Sequence, residues 1–275
     1  MLSKYFRSLI RSYLLNPYVI FWGVLFILFW EVMSIYVFTQ NVEKAYMLYS
    51  IASFYGQLLI IGLGSVAVTL IQSMYIASFS IRYITKYSRL GPKQFMAENF
   101  LATIIFLLIY SAIIWVLLVG LACIRFGEWY LPKNVLGITL STVIIAIFMY
   151  VFMMFMTYII IFLRVPKFAS FISFLPLMLS FVSYASWWID FDELAYIVPF
   201  NLISNIIFYY YTDSKPFTGA IIENFIKMSM GQQPSYADPI LSMLSLVIWI
   251  ILLSAINYLL IKKSKGISYE ELRIV

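Results

Sequence analysis

The sequence predicts an all-α polytopic membrane protein with six transmembrane helices. An in-plane amphipathic helix precedes them, and an outer re-entrant segment precedes the last. Three observations predict this. The 275 residues are 64% hydrophobic and 11% charged, against roughly 45–50% and about 25% in soluble domains. The apolar residues gather into six runs long enough to cross roughly 30 Å of hydrocarbon. None of the runs alternates with period two, so helices rather than strands carry them.

Residues 1–16 come first. Tyr5, Phe6, Leu9, Ile10, Tyr13 and Leu14 recur at helical spacing, and Ser3, Lys4, Arg7, Ser8, Arg11 and Ser12 fill the other face. That pattern predicts a helix lying in the membrane interface. It lacks a small-residue cleavage site, so it reads as retained rather than as a signal peptide. Asn16-Pro17 ends it.

The six spans are expected at 18–39, 48–80, 100–124, 135–163, 168–188 and 240–262. The second and fourth exceed the needed length, which predicts tilt or projection into water. Residues 1–275 are expected to form one membrane domain, with 263–275 as a tail.

Between spans two and three lies Ile81–Asn99, which carries Arg82, Lys86, Arg89, Lys93 and Glu98. A charged island between two apolar runs belongs in water, and its cations predict the cytoplasmic side. Lys4, Arg7, Arg11, Arg164, Lys167, Lys262, Lys263, Lys265 and Arg273 fall on the same side, giving thirteen of eighteen Lys and Arg there. Both termini are therefore expected in the cytoplasm, in a plasma-membrane protein. Residues 82–98 form the one sizeable internal surface offered to that side, since the other loop spans only Arg164–Lys167. Trp129, Tyr130, Trp187 and Trp188 form the expected outer aromatic belt.

The outer connection 189–239 holds 51 residues and is not a plain linker. Its apolar stretch 201–211 rises only about 16 Å as a helix, too short to span. It is expected on the outer interface or dipping inward as a re-entrant piece shielded by protein. A second helix is expected near 217–230.

Composition also excludes chemistry. The chain has no His, which removes the commonest metal ligand and neutral-pH base. Its single Cys123 permits no internal disulfide and reads as a small apolar residue near a helix end. Intramembrane metalloprotease, Asp-rich prenyltransferase and Ser-dyad protease all lack their residues, so no catalytic or metal-binding residue is assigned. The net charge of +6 lies on one side of the membrane and does not indicate nucleic acid. A polytopic membrane enzyme of another kind, or a passive channel or scaffold without an ATPase partner, remains as the alternative.

Asp190, Asp192 and Glu193 form a D-x-D-E cluster on the outer side. It fits a divalent cation or, better, the first turn of a short helix, whose dipole favours acidic residues. Glu31 lies about 21 Å along span one, and an intramembrane carboxylate is a functional candidate by default.

Two polar stripes suggest a route through the bilayer. On span two, Ser53, Gln57, Ser65, Thr69 and Ser73 follow one line at spacings of four. On span five, Ser173, Ser180 and Trp187 recur at sevens, with Ser183 beside them and Pro176 as an expected kink. Close interhelical packing is one reading of the stripes, helped by Ala52, Gly56, Gly64 and Ala67. The other is a mixed cavity of hydroxyls and Gln57 beside Phe174, Met178 and Phe181.

The order of elements resembles the membrane subunit of type-2 ABC transporters, an exporter-like permease family. Two stretches carry it: Thr85 to Ala102, T-K-Y-S-R-L-G-P-K-Q-F-M-A-E-N-F-L-A, and Tyr196 to Ile203, Y-I-V-P-F-N-L-I. The resemblance implies a separate ATP-binding subunit, which suits a chain with no G-x-x-x-x-G-K-[S/T] loop. It implies that Arg82, Lys86, Arg89, Gly91 and Lys93 dock that ATPase as a coupling helix. It also implies a second permease, a like or homologous copy, with spans two and five lining a cavity at the dimer axis. No cofactor is expected in this chain; ATP and Mg belong to the partner, and membrane lipid is the surrounding ligand.

Overall fold

The computed structural model describes residues 3–40, 42–87 and 91–263, with side chains throughout except at 80–87 and 92. The described chain is helical, with two isolated β-bridges, Asp190 to Gly219 and Phe217 to Tyr236. The helices are α1 (Lys4–Leu14), α2 (Val19–Phe38), α3 (Met47–Tyr87), α4 (Pro92–Phe126), α5 (Val135–Leu163), α6 (Ala169–Tyr184), α7 (Pro199–Thr212), α8 (Ile221–Ser229) and α9 (Pro239–Lys263). Six are long and apolar enough to cross a membrane: α2, α3, α4, α5, α6 with its flanking turns, and α9. The chain is a multi-pass membrane protein.

Local chemistry sets the boundaries. Ser3 caps α1 by accepting the Phe6 N–H at 3.3 Å. Asn134 caps α5 through the Gly137 N–H at 2.7 Å. Pro stands in the first turn of α4 and α7, where its missing N–H costs nothing. Gly127 ends α4 in the left-handed region at φ 72°, its N–H bonded to the Cys123 carbonyl. Asp238 accepts the N–H groups of Ile240 and Leu241 at the start of α9.

α3 is the axis of the bundle. Its apolar window is 89% buried, against 33% for α2 and 17% for α9. It packs against α4, α5, α6 and α7 together. Neighbouring helices thus cover both its polar line and its apolar faces.

The stretch 189–239 differs from a surface loop. α7 is buried along most of its length, from Phe200 to Thr212, and packs against α3, α5 and α9. Its backbone is satisfied within the helix, and its aromatic side chains enter the core beside Phe148 and Phe152. Protein rather than lipid covers it.

Candidate functional site

The two polar stripes meet. Gln57 Nε2 donates to the Ser180 carbonyl at 3.4 Å, and Ser180 Oγ donates to the carbonyls of Ile60 (3.1 Å) and Pro176 (2.7 Å). Ser173 Oγ bonds the Ala169 carbonyl, and Ser183 Oγ bonds Asn201 Oδ1 on α7 at 2.6 Å. Ser53 Oγ bonds the Tyr49 carbonyl. Ser173, Ser180 and Ser183 are fully buried. The Ser180 and Ser183 hydroxyls join α6 to α3 and α7 in close packing, the use expected of small polar residues in a membrane interior, while that of Ser173 turns back on its own helix. Gly64 completes the seam, since a Cβ there meets Ser180 Oγ and, at 3.0 Å, the Pro176 carbonyl. Thr69 and Ser73 sit half-buried further along α3.

The mixed lining expected from sequence does not form within one chain. Phe174, Met178 and Phe181 are exposed on the side of α6 away from Ser173, Ser180 and Ser183. The reason is angular: residues 173, 176, 177, 180 and 183 share one helical face, and 174, 178 and 181 share the other.

Ser65 serves a different partner from the one its stripe suggests. Its hydroxyl lies 3.2 Å from the Trp22 carbonyl and 2.8 Å from that of Gly62. Trp22 belongs to a π-helical stretch of α2, Val19–Leu25; a second, Ser34–Phe38, follows the α-helical Phe26–Met33. Wide turns misalign backbone carbonyls, and neighbouring side chains take them up. Tyr110 donates to the Gly23 carbonyl, and Arg125 donates to that of Tyr36 at 3.0 Å. No residue pattern in α2 announces these turns, although Gly23 marks the place where Tyr110 approaches.

Glu31 lies between the two π-helical stretches and is 0% exposed. Neither carboxylate oxygen has a hydrogen-bond partner, and no cation pairs with it among the described residues. It faces the protein interior, on a helix packed against α3 and α4.

At the basic end, helix replaces most of the expected loop 82–98. α3 runs to Tyr87 and α4 starts at Pro92, and 88–90 lie outside the described residues. The side chains of Arg82, Lys86 and Arg89 also lie outside them. Gly91 caps α4 and Lys93 is exposed in its first turn. Glu98, expected in water, is 6% exposed. α1 covers it: Ser3 Oγ donates to Glu98, and Gln94 Nε2 donates to it at 2.9 Å. Beside it, the Tyr5 and Phe95 rings lie 5.2 Å apart, and Asn99 Nδ2 donates to the Tyr5 hydroxyl at 3.0 Å. α1 is therefore fastened to the first two turns of α4.

The D-x-D-E cluster opens a short 3₁₀ helix, Asp192–Tyr196, with Asp190 Oδ1 accepting the Asp192 N–H. No three His, Cys, Asp or Glu side chains converge on a metal-sized site among the described residues. Cys123 occupies the last turn of α4.

At the end opposite the basic one, a cavity of about 550 Å³ opens between α2, α3, the turns after α6 and α8. Sequence reasoning read Trp188 there as a belt residue and Trp187 as both a belt residue and the end of the span-five stripe. No family model, no curated protein and no solved structure matches this chain.

Proposed function

We propose that the chain is the membrane-spanning permease subunit of an ATP-binding-cassette exporter. In this reading it sits in the plasma membrane with both termini in the cytoplasm, α1 lies in the interface plane, and α7 is the outer re-entrant helix. A separate ATPase subunit docks where α3 meets α4, through Arg82, Lys86, Arg89, Gly91 and Lys93, and carries ATP and Mg. A second permease copy, like or homologous, completes the transporter.

The observation that carries this reading is the fastening of α1 to α4 through Ser3, Glu98, Tyr5, Phe95 and Asn99. Movement imposed on the α3–α4 turn then passes to an interfacial helix as well as to two spans. An ordinary basic loop has no need of such a joint.

The α3–α6 seam is packed, so the substrate route belongs between copies rather than inside one. The exposed face of α6, with Phe174, Met178 and Phe181, is the wall this reading assigns to it. It suits an amphipathic or apolar substrate. Glu31 is the group within the bundle most suited to coupling a proton or cation to that movement.

The test is purification in mild detergent from the native host. An ATP-binding subunit should co-purify, and replacing both Arg89 and Lys93 by Glu should detach it or uncouple hydrolysis from transport. An unaltered complex and unaltered coupling in that double variant would overturn the assignment.

A further inference from the structure

We propose that the cavity at the end opposite the basic one is a binding site for an organic cation with an apolar body. The proposal stands apart from the permease reading and holds whether or not an ATPase drives the chain.

The cavity has the volume of a small-molecule site, about 550 Å³. Its wall is aromatic: Phe38, Phe54, Tyr184, Trp187, Trp188 and Phe225. These rings are ordered against one another. Phe54 stacks on Trp187 at 4.9 Å and 16°, and Trp188 meets Tyr184 edge-on at 4.9 Å. Phe54 and Trp187 cover one another's faces, which leaves Trp188, 58% exposed, as the ring best placed to offer a face whose quadrupole attracts a cation.

The second observation is charge. Glu43 is the one ionisable acid on the cavity wall among the described residues, and no cation pairs with it there. It stands before the short 3₁₀ turn Lys44–Tyr46 but makes no side-chain cap. The two nearest basic residues in sequence or on the roof are committed elsewhere. Lys44 binds Glu128 at 2.5 Å, and that hydrogen bond holds the Glu128 carboxyl below the usual carboxylate range. Lys227 of α8 binds Glu223 at 2.7 Å. A carboxylate left open beside an aromatic cage, with its natural partners withdrawn, favours a cation over a neutral lipid tail.

Two more features fit. Ser50 is 4% exposed and sets a hydroxyl-bearing residue on the cavity wall. The roof helix α8 is pinned at Asn224, which donates to the Gly219 carbonyl at 2.7 Å and accepts the Ser235 N–H at 3.1 Å. These bonds fix α8 to its own flanking turns.

The experiment uses the full chain in lipid nanodiscs and measures tetraphenylphosphonium binding by equilibrium dialysis, subtracting empty discs. Triphenylphosphine oxide, a neutral molecule of related shape, is the companion probe. Saturable binding of the cation is expected, weakened about tenfold in Glu43→Gln and lost in Glu43→Lys. Trp188→Leu, on an exposed ring, should weaken it by about threefold or more. The oxide should bind more weakly and ignore the Glu43 substitutions. Equal binding of both probes, or cation binding unchanged in Glu43→Gln, overturns the proposal and leaves an apolar groove filled by lipid. Thermal melting of each variant, expected to match wild type, separates lost binding from lost folding.

Discussion

Ser180 Oγ occupies the place where a Cβ on Gly64 would stand. The two residues let α3 and α6 approach until the Ser180 hydroxyl reaches the Ile60 carbonyl. Gly64→Ala should therefore destabilise the protein by about 1–3 kcal/mol, the usual cost of overpacking. Ser180→Gly should cost less and should partly rescue Gly64→Ala, because it removes the clashing atom. Thermal melting of both single variants and the double variant measures the coupling. Strict additivity would show that the helices part easily at this point.

The π-helical turn of α2 depends on hydroxyls from two other helices. Tyr110→Phe leaves the Gly23 carbonyl without its donor, and Ser65→Ala does the same for that of Trp22. Each should cost about 1 kcal/mol, up to about 3 if the carbonyl stays buried and unpaired. Amide exchange should quicken across Val19–Leu25 in Tyr110→Phe and stay unchanged in α9.

Glu31 occupies a fully buried position with no partner among the described residues. Glu31→Gln keeps its shape and removes the possibility of charge, so the melting temperature should hold or rise. Glu31→Lys should fail to fold or lose several kcal/mol, since a cation there has no counter-charge. If Glu31 serves coupling, Glu31→Gln loses transport while remaining folded. Full transport in that variant assigns Glu31 to structure alone.

The joint between α1 and α4 gives a fourth expectation. Glu98→Ala removes the acceptor of both Ser3 and Gln94. Exchange should rise across Lys4–Leu14, with a loss of about 1–2 kcal/mol in the stability of that helix. The rest of the bundle should be untouched, because α1 packs chiefly on α4.

The exposed face of α6 gives the fifth. If two copies assemble as proposed, Met178→Cys should cross-link to its counterpart, whereas Ser173→Cys, on the buried face, should not. Absence of the Met178 cross-link in an assembly shown to be dimeric moves the interface to another helix.

Much of this architecture was legible because the hydrophobic runs are long and the Lys and Arg lie at their ends. The six expected spans overlap the six observed ones, and 135–163 coincides with α5. Their ends are less legible, since helices continue past the apolar run: α3 reaches Tyr87 and α4 begins at Pro92. The polar stripes were visible as spacing, but spacing alone does not separate packing from lining. Gly64 opposite Ser180 decides that, and the pair lies 116 residues apart in sequence. Glu98 misled because charge alone suggests water, while Ser3, 95 residues away, covers it. The aromatic cage joins residues from α2, α3, α8 and the turns after α6, a convergence that periodicity cannot report.

The 41 residues of α3 make an uninterrupted rod about 60 Å long, roughly twice the hydrocarbon thickness. From Met47 to Phe79 most of its side chains are packed among the other helices, chiefly α4, α5, α6 and α7. A rigid rod held over so much of its length turns as one piece. A rocking of about 5° at the packed region shifts each bond there by fractions of an ångström, yet it carries the end near Tyr87 through about 3 Å. In the proposed permease, a subunit docked at that end would see the amplified stroke, and a push from it would reach the packed region as a small turn of the whole rod.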